Sequence, residues 1–253
     1  MSTPHVPEAE VADRPVGHDG GKVEITERPA WSGSTGLAAL VLVAAPTLLV
    51  GGTALTIWGG VRADSGETGV PFIILGILAI LVAVILLPMI RVISPGHTHV
   101  VQFFGRYLGT NRHTGLSLVP PLATSKKVSV RVRNFETSEL KVNDLNGNPV
   151  MIGAIIVWQV ADTAKATFSV EDVEEFIHSQ SESALRHVAT SHPYDGGTAH
   201  LPSLSGSTDL VSRELADEVA ARVRIAGLEI LEARISALSY APEIAQAMLQ
   251  RQQ

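Results

Sequence analysis

Ser191, His192 and Asp195 lie within five residues and carry the groups of a nucleophilic triad: a hydroxyl, an imidazole to take its proton and a carboxylate to hold the ring. Their adjacency argues against catalysis, because triads are assembled by folding from separated segments. The stretch from Tyr194 to Ser207 is rich in Gly, Ser and Pro, and it is expected to be an exposed loop whose polarity explains these residues. Among nine histidines, His97 and His99 stand two apart on a strand pattern and so share a face, as two metal ligands would. Neither a carboxylate nor a third histidine is near them in sequence. His178 and His187 are nine apart on a helical pattern and point in opposite directions. The chain has no cysteine, which removes thiolate catalysis, disulfides and cysteine zinc sites. It contains no G-x-S-x-G, P-loop, G-x-G-x-x-G or H-E-x-x-H pattern. No catalytic residue, cofactor or metal is expected. The alternative to a non-enzyme is a membrane-tethered hydrolase using the Ser191, His192 and Asp195 loop.

Two charged clusters remain. Lys126, Lys127, Arg131 and Arg133 form a basic patch, with Arg131 and Arg133 expected on one strand face, facing solvent, anionic lipid or an acidic neighbour. Glu171, Asp172, Glu174 and Glu175 are the matching acidic set, and the two together are the candidate contacts with lipid or between subunits. A net charge of −6 argues against a nucleic-acid binder, for which a basic stripe would be expected.

The elements that must hold these residues read as α+β. The stretch from His97 alternates as THVVQFFG and turns at Gly105 and Gly109. Further strands are expected at Leu116 to Val119, Lys127 to Val132, Phe135 to Val142 and Val150 to Val160, with a hairpin turn at Asn146-Gly147. From Glu171 the period becomes helical for about 19 residues, with acidic residues at the helix start. A second helix is expected from Thr208 to Ala226, ended by Gly227, then a strand from Leu228 to Leu238 and a last helix opened by Pro242.

Ahead of all this lie two apolar runs without charge, Gly36 to Val61 and Thr68 to Ile90. Roughly 20 apolar residues cross a hydrocarbon layer about 30 Å thick, so both are long enough. Neither has the polar stripe of a core helix. The first follows 35 residues with six acidic groups and no basic n-region, unlike a signal peptide. The loop from Arg62 to Gly69, eight residues with Asp64, Ser65 and Gly66, makes the runs a hairpin with both ends on one side. Arg14, Lys22 and Arg28 precede the first run and Arg91, Arg106 and Arg112 follow the second, against Arg62 alone in the loop, so both termini are expected in the cytoplasm. Trp31 and Trp58 mark the two interfaces, and Pro46 and Pro88 are expected to be tolerated kinks. The expected organisation is a disordered tail over 1–35, a transmembrane hairpin over 36–93 with spans at 37–61 and 70–90, and one domain over 94–253.

The order of these segments resembles a family. VISPGHTHVVQFFGRYLGT, GLSLVPPL, VSVRVRNFETSELKVND, VMIGAIIVWQVADTAKATFSV and EDVEEFIHSQSESALRHVAT, ending in LEILEARISALSYAPEIAQAM, are similar to the SPFH (band 7) domain of stomatins, prohibitins and flotillins. The matching positions include Gly105 and Arg106, Gly115 to Pro120, and the step Gln159, Val160, Asp162. Two departures stand out. Ala123, Thr124 and Ser125 occupy the place of a usual acidic residue, and the long Ala- and Glu-rich helix through which subunits associate is short or missing at Gln253. The resemblance implies a non-enzymatic scaffold that is anchored in the membrane, forms homo-oligomers and organises membrane lipids into microdomains. Integral membrane partners such as a membrane protease are implied as well.

Overall fold

The computed structural model describes residues 25–195 and 202–242. The start of the tail, part of the Tyr194 to Ser207 loop and the helix expected after Pro242 lie outside them. The chain divides into a compact unit over Glu27–Ser129 and another from Val130.

The first unit opens with helices α1 (Thr35–Asp64) and α2 (Val70–Leu86). Ser34 caps α1 by accepting from the Leu37 N–H at 3.3 Å. The helix continues past Val61 to Asp64, so the connection is shorter than the expected eight residues. Arg62 stays helical because its guanidinium lies 4.6 Å from the Trp58 ring centroid and its Nε donates to Glu67 at 2.7 Å. A cation in the last turn also suits the helix dipole. Pro46 lies inside α1, whereas Pro88 sits in a 3-10 turn, Leu87–Met89, that closes the second run.

The two helices meet along a seam of small residues. Ala38, Ala45, Gly52 and Gly59 on the first, and Gly69 at the start of the second with Gly76 and Ala83 on it, recur every seventh position and are buried. A methyl group at Gly52 would stand 2.8 Å from the Gly76 carbonyl oxygen, so the backbones themselves are in contact. Small residues permit this approach where apolar surroundings give no hydrophobic drive between helices. The outward faces, with Leu40, Val43, Val50, Ile57, Ile74 and Leu78, are exposed.

Five strands follow: β1 (Ile90–Ile93), β2 (His97–Phe103), β3 (Arg106–Asn111), β4 (Gly115–Leu118) and β5 (Thr124–Ser129). They form a sheet β3–β2–β5 and a pair β1–β4. β5 begins three residues before the expected Lys127, because it pairs with β2 from Gln102↔Thr124 to His97↔Ser129 and leaves the sheet at Val130.

The segment before α1 is also ordered. Pro29 bridges Thr110 and Gly33 bridges Leu118. The Ala30 N–H donates to Thr110 at 3.0 Å, the Thr110 N–H donates to Arg28 at 2.8 Å, and Arg112 clasps Glu27. The expected tail over 1–35 therefore includes a strap, residues 27–33, held by strands that follow the hairpin. Gly109, read from sequence as a turn, lies inside β3 with φ 153° where the strap crosses it; a methyl there would be 2.6 Å from the Ala30 nitrogen.

The second unit is built on β8 (Pro149–Val160), preceded by β6 (Arg133–Glu136) and β7 (Leu140–Asn143). It continues through α3 (Thr163–Phe168), α4 (Val173–Ser191), α5 (Thr208–Val223) and β9 (Leu228–Tyr240). β6 and β7 share one edge of β8, and β9 runs along the other. The single strand expected over Phe135 to Val142 is broken at Thr137, whose hydroxyl accepts from the Ala154 N–H at 3.0 Å. Ile177, Leu185 and Val188 of α4, with Leu215 and Val219 of α5, are buried in the core. The helix short of Ala226 passes into a 3-10 turn that Gly227 ends at φ 69°.

Candidate functional site

The three residues of the triad reading do not face one another. The Ser191 Oγ donates back to the His187 carbonyl at 2.9 Å within its own helix. His192 has Nε2 2.7 Å from the Glu214 carboxylate and Nδ1 3.3 Å from the Pro202 carbonyl, so both ring nitrogens face acceptors and neither faces a hydroxyl proton. Asp195 accepts from the Ser205 Oγ at 2.8 Å and from the Tyr240 hydroxyl at 3.2 Å. The Tyr194 and Tyr240 rings lie 3.9 Å apart. Burial and the neighbouring Asp195 push the Tyr240 hydroxyl up to about 12, so it stays a donor.

This corner is a structural junction. Asp144, 4% exposed, accepts from the N–H groups of Asn146 at 2.9 Å and Asn148 at 2.7 Å, from the Asn148 amide at 3.2 Å, and from the Tyr194 N–H at 3.0 Å. The Leu145 N–H donates to the His192 carbonyl at 3.1 Å. The expected turn at Asn146-Gly147 is present, with Gly147 at φ 82°, but one carboxylate ties it to the chain that leaves α4. Burial alone would push that carboxyl up; the Tyr194 and Asn148 N–H groups, then the Asn148 amide and Asn146 N–H, hold it below the usual range. The loop expected to be exposed is anchored too, with Ser203 and Leu204 buried and the Leu204 N–H bonded to Pro193.

An expected result follows for the loop. Ser191→Ala removes one intrahelical bond and changes stability by no more than about 0.5 kcal/mol. His192→Ala removes the ring contacts to the Glu214 carboxylate and the Pro202 carbonyl and costs about 1–2 kcal/mol. Neither changes turnover of general ester substrates by the purified protein. A parallel loss of hydrolysis in both variants would restore the enzyme reading.

His97 and His99 are on one face of β2, but His99 is buried and its register partner on β5 is Lys127. Burial first, then the charges of Arg91, Lys127 and His97, hold the His99 imidazole below its ordinary value, and Nδ1 lies 3.4 Å from Ser125 Oγ. Cations at that position repel a metal ion, and among the described residues no three His, Cys, Asp or Glu gather as a ligand set. His178 instead stacks on Phe135 at 3.7 Å.

The charged clusters are redistributed by the fold. Lys126 and Lys127 are exposed neighbours on β5 of the first unit, whereas Arg131 and Arg133 belong to the second. Arg131 lies between strands rather than on one, so the expected shared face with Arg133 does not exist. Arg133 forms an ion pair with Glu174 of its own chain and lies 5.6 Å from the Trp158 ring centroid. Asp172 is the N-cap of α4, its Oδ1 accepting from Glu174 at 2.8 Å and Glu175 at 3.0 Å. Arg133, Glu174 and Asp172 thus have intramolecular roles, and Glu171 and Glu175 are exposed on the surface.

Sequence reading missed the apolar tips of the first unit. β2 and β3 are joined by Phe104 and Gly105 at φ 47° and 80°, a type I′ pair, and the β4–β5 connection has Leu122 at φ 62°. Phe103, Phe104 and Leu122 are exposed. Two aromatics before a turn glycine were the available signal.

A helical hairpin long and apolar enough to cross a membrane, tied at its base to short antiparallel strands and followed by an α+β unit, defines a hairpin-bearing α+β protein. Residues 91–253 match the model of the SPFH domain / Band 7 family, and the chain belongs to that family, whose members are typically membrane-associated and generally non-enzymatic. No curated protein matches the chain.

Proposed function

We propose that the chain is a membrane-anchored, non-enzymatic scaffold. In this reading α1 and α2 span the cell membrane, both chain ends lie in the cytoplasm, and copies associate to organise membrane lipids and integral partners, a membrane protease among them. The pairing of residues 27–33 with β3 and β4 carries the reading. It brings the chain entering the hairpin and the chain leaving it to the same end, the arrangement a two-span anchor requires. Small-residue packing inside the hairpin, with apolar side chains directed outward, supports lipid contact. Glu171, Glu175, Lys126 and Lys127 are the candidates for contacts between copies, since Arg133, Glu174 and Asp172 are engaged within the chain.

The expected result is retention of the protein in membranes through an alkaline carbonate wash, and particles larger than one chain by mass photometry in mild detergent. Reversing charge at Lys126 and Lys127 is expected to reduce particle size. Extraction by carbonate would end the anchor reading. A monomer without co-purifying membrane proteins would end the scaffold reading.

A further inference from the structure

Phe104 and Leu122 are the two non-glycine residues with positive φ among those described, and they are 82% and 70% exposed. Left-handed backbone is unfavourable for bulky side chains, and exposure to water adds to the disadvantage. Asn or Gly would suit both positions better. Both turns lie at the same end of the sheet, because the β2–β5 ladder ends at Gln102↔Thr124, one residue before Phe103 and two after Leu122. Phe103 completes the surface, its ring 4.7 Å from that of Phe104 and edge-on to it.

The same end of the sheet adjoins the hairpin. Leu118 is buried against Ala38 and Val41 of α1, with Leu86, Met89 and Ile90 around it. The Val119 N–H donates to the Met89 carbonyl at 2.8 Å. Leu118 thus reaches alongside the first two turns of an apolar helix. Leu122 follows four residues later, within about 14 Å even if the chain were fully extended. Arg106, just beyond the turn, is an exposed cation of the kind that attracts anionic lipid headgroups.

We propose that Phe104 and Leu122, with Phe103, form a lip that enters the acyl-chain region of the leaflet in which the base of the hairpin lies. The lip is a third membrane contact, made by backbone turns rather than by a spanning helix. It displaces lipid in one leaflet only, on the flank of the anchor. The inference rests on α1 and α2 being membrane spans, which the carbonate wash tests independently.

The absence of cysteine makes the test clean, since each introduced thiol is unique. Phe104→Cys, Leu122→Cys and, as a comparison, His113→Cys at the opposite end of β3 would be labelled with an NBD fluorophore in the full chain. Each protein is then reconstituted into phosphatidylcholine–phosphatidylglycerol vesicles. Labels at 104 and 122 are expected to emit to the blue of the label at 113. They should lose most of their emission to lipid carrying a nitroxide near the headgroup end of its chain, and resist aqueous iodide. Iodide access equal to that at 113 would overturn the proposal. Protection from both quenchers would also overturn it, because it would assign the surface to a second copy or another protein. Phe104→Gly separates folding from insertion: it relieves the backbone, so the melting temperature in micelles is expected to hold or rise. In that background the label at 122 should lose much of its lipid quenching. A lower melting temperature with unchanged quenching would make Phe104 a structural residue and sink the lip.

Discussion

Gly76→Leu is expected to force the two helices of the hairpin apart and to lower its stability by about 3 kcal/mol, the upper end of overpacking effects. The reason is geometric. The first side-chain carbon alone would stand 2.6 Å from the Gly52 carbonyl oxygen and 2.8 Å from the Thr56 nitrogen. These are backbone atoms that cannot rotate away. The Thr56 hydroxyl, which donates to Gly52 at 2.8 Å, is in the path as well. Gly51→Leu is the matched comparison, since nothing lies within 4 Å of a methyl there. Thermal unfolding in detergent micelles, followed by circular dichroism, should show a large drop for Gly76→Leu and little change for Gly51→Leu. Equal melting of the two would mean that the seam does not hold the hairpin.

Asp144→Ala is expected to destabilise the unit from Val130 by about 2–3 kcal/mol, since it leaves the part-buried N–H groups of Asn146, Asn148 and Tyr194 without their shared acceptor. Asp144→Asn should recover part of the loss, because one amide oxygen replaces two carboxylate oxygens and its NH2 opposes the Asn148 amide. The sign with pH follows from the lowered pKa. Folding favours the carboxylate, so its contribution is complete above the unfolded value of 3.8 and disappears as pH falls through the lower folded value. The wild type should therefore lose stability more steeply than Asp144→Asn as the solution is acidified below about pH 4. Urea unfolding at successive pH values measures the slopes, and parallel slopes would remove the assignment.

The existence of the hairpin was legible because a charge-free run of more than 20 residues has few other uses. Its seam was written in the chain as well, at Ala38, Ala45, Gly52 and Gly59, yet small residues inside an apolar run carry no polarity contrast to draw attention. The long strand β8 and the helices α4 and α5 followed from periodicity, which is local. What did not follow was set by partners far along the chain. Thr137 breaks a strand because Ala154 needs an acceptor, and Arg133 is paired on the surface with Glu174, 41 residues later. The Ser191, His192 and Asp195 grouping failed for the same reason in reverse: neighbours in sequence found their partners at Glu214, Ser205 and Tyr240. The lip was missed because left-handed φ at Phe104 is a property of the turn, and an exposed phenylalanine in a strand pattern reads as core.

The strap also orders events at the ribosome. Glu27 cannot meet Arg112 until 85 further residues have been made, and both apolar helices are translated in that interval. In the two-span reading proposed above, the hairpin is delivered to the bilayer while residues 27–33 wait on the synthesis side for β3 and β4. Their closure is a latch that can form only after both helices have been made, and in that reading a nascent chain with a single inserted helix has no way to complete its fold.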